Sequence, residues 1–247
     1  MAIKYYPNRV YKGKVPAIDR VMAKRKIQVA SGHANLAAAA LSTVISCEND
    51  WQLDTIQFNF SNATPRNFNA YIKNGRKVVE NLNDYLWFQS PNSFPQKITL
   101  TAGFYSGTEL AAQLKAKLDA NVAFAALGMI FTITYTAATG LFLITPSTNT
   151  IAYLDVNTSA VMTIRDSIAG HLFGLNVTTT PASSITSDTA VFGLNTETAV
   201  VSQAASTAST YLRDTVDTLS IDQAVKLTTN TGSSVLTDYI VTYEEIV

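Results

Sequence analysis

The chain has 247 residues, of which 47% are hydrophobic and only 15% charged, with a formal net charge of zero. That apolar content excludes a disordered chain, and the length allows one large β domain or two small ones. So little charge is also too little to solvate the whole surface of a monomer, which predicts that neighbours cover part of it.

The charge is unevenly placed. Residues 1–26 hold Lys4, Arg9, Lys12, Lys14, Arg20, Lys24, Arg25 and Lys26 against the single acid Asp19, a net +7, so the remainder carries −7. From Asp188 to Val247 there are eight acids and two bases. A basic arm on a mildly acidic body fits three kinds of partner: nucleic acid, an anionic lipid surface, or an acidic patch on a neighbouring subunit. Tyr5, Tyr6, Pro7, Tyr11, Val15 and Pro16 interleave with the charges and favour an arm that docks in extended form. The expected layout is an arm at 1–26 and a body at 27–247, with a β-rich projection or long loops within 146–210.

A strand is expected from Ile27. The stretch 34–46 is ambiguous: its alanines favour helix, while Leu41 to Ser46 has the β-branched content of a strand. A basic segment ahead of this weak apolar one mimics a signal peptide. With Met1 at its head, the segment is expected to be kept. No apolar run reaches the ~18–20 residues that cross a membrane as a helix. A single cysteine, Cys47, permits no internal disulfide and reads as a small buried apolar residue.

Asp54 to Phe60 alternates, with Ile56, Phe58 and Phe60 on one side. Phe68 to Lys73 is a further strand, and Asn74-Gly75 after it predicts a hairpin turn leading into Lys77 to Glu80. Leu82 to Phe88 is aromatic-rich, and Ser90 to Pro95 reads as a loop.

The clearest local signals lie in 97–145. Ser106 and Glu109 have the spacing of a capping box, with Tyr105 and Leu110 placed as a hydrophobic staple. Leu110, Leu114 and Leu118, with Ala111, form one apolar stripe, and Lys115 and Lys117 complement the dipole at the far end. An amphipathic helix is expected near 107–120. Phe131, Ile133 and Tyr135 alternate with threonines, Ala137 to Gly140 makes a turn, and Leu141 to Thr145 returns.

After Pro146, short strands are expected at 151–156 and 161–164, and Gly170 to Leu175 reads as a compact apolar turn. Residues 176–210 are rich in Thr, Ser and Ala, and a projection and a long ordered loop fit them equally. Strands at 215–221, 224–228 and 238–244 close the chain. Phe192-Gly-Leu-Asn repeats Phe173-Gly-Leu-Asn, too little for a sequence repeat. Together these elements predict an all-β chain, mainly β with one amphipathic helix, arranged as a β-sandwich.

No catalytic constellation is present. His33 and His171 are isolated, with no Cys/His/Asp cluster at ligand spacing, and phosphate-loop and nucleophile-elbow motifs are absent. Glu244 and Glu245 are adjacent on a strand and point to opposite faces, which is poor geometry for paired acid–base work. Asp214 and Asp217 lack a third calcium ligand at fixed spacing. No cofactor, metal or small-molecule substrate is expected, and an enzyme such as a carbohydrate-active β-sandwich lacks the clustered acids it would need.

The run Phe104-Tyr-Ser-Gly-Thr-Glu-Leu-Ala-Ala-Gln-Leu, the 131–145 hairpin and the later His171-Leu-Phe-Gly-Leu resemble a module found in capsid-associated proteins of tailless phages and large DNA viruses. Trp51-Gln-Leu-Asp-Thr-Ile-Gln-Phe, with the strand after it, is similar to the first sheet of jelly-roll-like virion proteins. The resemblance implies a jelly-roll-like fold and a non-enzymatic capsid, penton or minor capsid protein, located in the virion. Its implied partners are copies of itself and other virion proteins. The alternative is a receptor-binding or adhesion module of a tail, spike or cell surface.

Overall fold

The computed structural model describes residues 25–36, 43–47, 50–59, 66–155, 168–206, 210–213, 219–229 and 235–246. They form sixteen strands, two helices and a 3-10 turn, and several of the sheets are built from antiparallel pairs. The chain is thus mainly β with one amphipathic helix, as its alternating segments predict. It divides into two compact units, one of residues 1–70, 200–221 and 227–247, the other of 71–199 and 222–226.

In the first unit, β1 (Arg25–Leu36) pairs with β16 (Val235–Ile246) along its whole length, and β16 pairs with β3 (Trp51–Asn59), which is flanked by β14 (Thr210–Arg213). Both described parts of the ambiguous 34–46 stretch are strand: the end of β1, and β2 (Thr43–Ile45). Thr242 stands opposite Thr55 and Tyr243 opposite Leu53, so Asp54 is an extra residue in β3. Such a bulge switches the parity of the strand. Trp51 and Leu53 are buried before it, Ile56 and Phe58 after it. Phe58 stacks on Phe68 with centroids 4.6 Å apart, and Trp51 meets Tyr243 edge-on at 5.3 Å. Cys47 is buried. Of the strand expected at 215–221 only 219–221 is described: Leu219 makes an isolated bridge to Trp51 and the chain then turns. Phe60 and 161–164 lie outside the described residues.

A further sheet has the order β13 (Glu197–Ser206), β4 (Arg66–Asn74), β15 (Gln223–Thr229), β2.

The second unit has one apolar cluster. Helix α1 (Gly107–Asp119) buries Leu110, Ala111, Leu114 and Leu118 in it. The hairpin of β9 (Phe131–Thr136) and β10 (Leu141–Pro146) contributes Phe131, Ile133, Phe142 and Ile144, with Gly140 at φ 67° in the turn. Strands β6 (Tyr85–Gln89) and β7 (Gln96–Thr99) add Leu86, Phe88 and Ile98, and the 3-10 turn Gly170–Phe173 adds Leu172 and Phe173. The sheets are β12 (Ile185–Thr186)–β10–β9 and β11 (Ala152–Leu154)–β6–β7, with the pair β5 (Arg76–Val78)–β8 (Gly103–Tyr105). The short helix α2 (Val122–Ala126) is capped by Asn121, whose side chain accepts from Ala123 and Phe124.

The cap of α1 is the predicted one. The Ser106 hydroxyl accepts from the Glu109 amide, and the Glu109 carboxylate accepts from the Ser106 amide at 2.7 Å. Ser106→Ala is expected to lower stability by about 0.5–2 kcal/mol, read as a shift in the urea midpoint. An unchanged midpoint would remove the cap from the account.

The Asn74-Gly75 turn is a correction. β5 pairs with β8, Arg76 opposite Tyr105, and not back onto β4. Long-range bonds replace the turn's own: the Asn74 amide donates to the Thr196 carbonyl and the Gly75 amide to the Asp222 carbonyl, each at 3.0 Å. Gly75 serves close approach, since a Cβ there would overlap the Tyr105 carbonyl.

Candidate functional site

Three ion pairs lie in the second unit, where β4 ends, β13 and β15 begin and α1 starts. Lys73, buried, donates to Glu109 at 2.6 Å. Arg76 pairs with Asp222. Lys226, buried, meets both carboxylate oxygens of Glu197 at 2.9 Å, and its ammonium stands 6.0 Å from the Tyr71 ring centre. Asn74 ties the elements together: its side chain donates to the Thr196 hydroxyl at 2.6 Å and accepts from Gln223 at 3.1 Å. Asn195 does the same for the helix start, accepting from the Thr108 amide and donating to the Thr108 hydroxyl.

Each carboxylate of these pairs is held by a cation, an arrangement that fixes strand ends rather than one that offers a general base. Burial raises the Glu109 pKa, but the bonds from Lys73 and from the Ser106 amide and hydroxyl outweigh it and hold the carboxyl below the ordinary glutamate value. A depressed carboxyl stabilises the fold above its unfolded pKa, and that contribution is lost as pH falls through the folded one. Wild type is therefore expected to exceed Glu109→Gln in urea midpoint at neutral pH, with the gap closing as pH drops below the ordinary glutamate range. A gap that stays constant would show that the charge carries no part of it.

The other predicted positions scatter. Lys4, Arg9, Lys12, Lys14, Arg20 and Lys24 lie outside the described residues, and Arg25 and Lys26 open β1, where only their backbone is described. The expected arm therefore overlaps β1 by two residues. Asp214 and Asp217 also lie outside. His33 is in β1, in register with Asp238. His171 is exposed on the 3-10 turn; partial desolvation of its ring and the Arg76 charge lower its pKa. Glu244 and Glu245 stand opposite Gln52 and Trp51 in the β16–β3 ladder. Among the described residues no group of three or more His, Cys, Asp or Glu could hold a metal ion, and no helix is long and apolar enough to cross a membrane.

Sequence reasoning missed the outer surface of the 120–154 region. Val122 and Ile130 are exposed there, at 82% and 63%, and Leu143 is exposed on β10. Phe94 is close in the bonding pattern, since Gln96 donates to the Phe94 carbonyl and accepts from Asn121, the residue before Val122. The signal was available: no charged residue occurs from Ala120 to Leu154. No protein-family model matches the chain, and no curated protein or solved structure matches it.

Proposed function

We propose that this chain is a virion structural protein that forms or decorates an icosahedral capsid through contacts between subunits, without catalysis. The observation that carries the reading is that α1, the β9–β10 hairpin and the Gly170–Phe173 turn, the three elements behind the resemblance to capsid-associated proteins, share one apolar cluster. They are a single packed body, as a recurring module has to be. The charge-poor composition and the exposed apolar side chains on that body agree with a surface that neighbours cover.

In this reading the +7 arm lies on the inner side of a shell or beneath a neighbour, against polyanion, anionic lipid or acidic subunit surface. Removing residues 1–24 leaves β1 complete. The truncated protein is expected to keep its fold and to assemble poorly, and full-length particles are expected to loosen as salt rises, because exposed ion pairs are screened over about 8–10 Å at physiological ionic strength. The primary test is electron microscopy and light scattering of the native material. Closed particles with this chain in many copies support the reading. A protein that stays monomeric at high concentration overturns it in favour of a receptor-binding or adhesion module.

A further inference from the structure

β1 ends the sheet of the first unit, and it is 12 residues long. It keeps unbroken register with β16, from Arg25 opposite Ile246 to Leu36 opposite Val235, and contains no proline. Among the described residues no strand pairs with its other side. Most other edges are short or guarded. β12 and β14 have 2 and 4 residues, β7 exposes Lys97, and the Phe131 amide of β9 is taken by the Asp119 carboxylate at 2.8 Å. Within β1, Val29 and Ser31 are exposed, while Ala30 and Gly32 are half-buried. A Cβ at Gly32 would overlap the hydroxyl and ring of Tyr239, the residue opposite it in β16, so that ring lies over β1 at Gly32.

We propose that the outer edge of β1 pairs antiparallel with β1 of a second copy of this chain, about a two-fold axis at Ser31. The proposal rests on the virion reading and names a subunit contact within it. An open edge presents amides and carbonyls in alternation, and the backbone of another extended strand satisfies both. Pairing β1 with itself closes the edge of both copies in one contact. Residues that face each other across an antiparallel pair share a face of the sheet, so the axis passes through a residue and not between two. An axis at Ser31 sets Gly32 beside Ala30 of the second copy, two small residues where the Tyr239 ring needs room. An axis at Ala30 would set Gly32 beside the longer Gln28. Charge agrees with the antiparallel order. Arg25 and Lys26 are the only Lys, Arg, Asp or Glu of β1, and both stand at one end. Lys26 then meets Leu36 of the second copy, and the like charges lie at opposite ends of the seam.

The length of the edge sets the strength of the contact. From Lys26 to Leu36 the seam runs about 35 Å. About 11 facing pairs exchange about 10–12 backbone hydrogen bonds, as many as a typical protein–protein interface carries. β13 is the other long edge, with 10 residues. Pairing β1 with β13 of a neighbour would be head to tail and would leave a long edge open on each copy, so it grows chains and not closed pairs.

Cysteine cross-linking of the full chain tests the register. The one native cysteine, Cys47, is buried. Ser31→Cys places two thiols on the axis, where facing Cα atoms about 4.5–5.5 Å apart allow a disulfide. The residue is exposed, so the variant is expected to keep the wild-type circular dichroism. On mild oxidation it is expected to give at least tenfold more covalent dimer than Thr134→Cys, an exposed position on another sheet that measures random collision. Val29→Cys and His33→Cys are each expected to stay at that background alone, since each thiol lies about 13 Å along the seam from its own equivalent. An equimolar mixture of the two is expected to cross-link, because residue 29 then faces residue 33. A damaged fold would not produce that pattern. If wild type assembles and Ser31→Cys gives no more dimer than Thr134→Cys, or Val29→Cys alone cross-links as well as the mixture, the β1 edge is not the two-fold contact and the virion reading still stands. If wild type stays monomeric at high concentration and Ser31→Cys does not cross-link, both fall.

Discussion

Replacing Phe142 by alanine is expected to destabilise the second unit by about 3–5 kcal/mol, the range for truncating a buried aromatic ring. The side chain is fully buried. Its ring meets Tyr135 at 4.8 Å and Phe173 at 5.1 Å between centroids, the second contact edge-on. It therefore joins the hairpin to the 3-10 turn. Ser187 is fastened at the same point, its hydroxyl donating to the Phe173 carbonyl at 2.6 Å and accepting from the Phe142 amide at 2.9 Å. A cavity here can collapse little, because strand and turn are both pinned by that hydroxyl, and poor collapse puts the cost toward the upper end. Equilibrium unfolding in urea, followed by the aromatic signal, measures it. A loss under 1 kcal/mol would mean that the site relaxes and that the two elements are not held through this ring. Phe142→Leu keeps most of the volume and is expected to recover over half of the loss.

Signals that are local in sequence were legible. The capping box needs only Ser106, Glu109 and the turn between them, and the Leu110–Leu114–Leu118 stripe needs only helical period, so both could be read without knowing what the helix packs on. The hairpin was legible for the same reason, since alternation and a Gly turn are close together in the chain. Signals that depend on distant residues were not. Asn74-Gly75 has the composition of a hairpin turn, but its amides are claimed by Thr196 and Asp222, more than a hundred residues away. The bulge at Asp54 is equally hidden, because it is defined by the partner strand β16. Between these extremes stands the uncharged outer face. Its lack of charge was visible in the sequence, and so was the alternation that turns the β9 threonines away from Phe131 and Ile133, yet which β10 residues stand beside those threonines follows only from the β9–β10 register. The basic arm was conspicuous in composition, and its residues before Arg25 lie outside the described part, so its partner is a matter for the truncation experiment.

The Phe-Gly-Leu-Asn tetrapeptide occurs twice, and the two glycines are expected to respond very differently to alanine. Both sit in the left-handed region, Gly174 at φ 66° and Gly193 at φ 80°. In both copies the following leucine, Leu175 or Leu194, is buried. In both the asparagine side chain donates to a threonine hydroxyl, Asn176 to Thr189 and Asn195 to Thr108. The conformational cost of a side chain in this region, about 1–2 kcal/mol, is therefore common to the pair. The surroundings are not. A Cβ at Gly193 would meet nothing within 4 Å. A Cβ at Gly174 would overlap the Thr189 carbonyl oxygen. That backbone cannot withdraw cheaply, because the Asp188 and Thr189 amides both donate to the Gly174 carbonyl, at 2.9 and 3.0 Å, and the Asp188 carboxylate accepts from the Asn176 and Val177 amides. Forcing a methyl into a packed site adds about 1–3 kcal/mol. Gly193→Ala is thus expected to cost about 1–2 kcal/mol and Gly174→Ala about 2–5 kcal/mol, less the few tenths to 1 kcal/mol that alanine returns by stiffening the unfolded chain. Parallel urea titrations of the two variants measure the difference, which cancels the shared conformational cost. Equal midpoints would mean that the segment at Thr189 yields to the methyl and that the Asp188 bonds do not hold it in place.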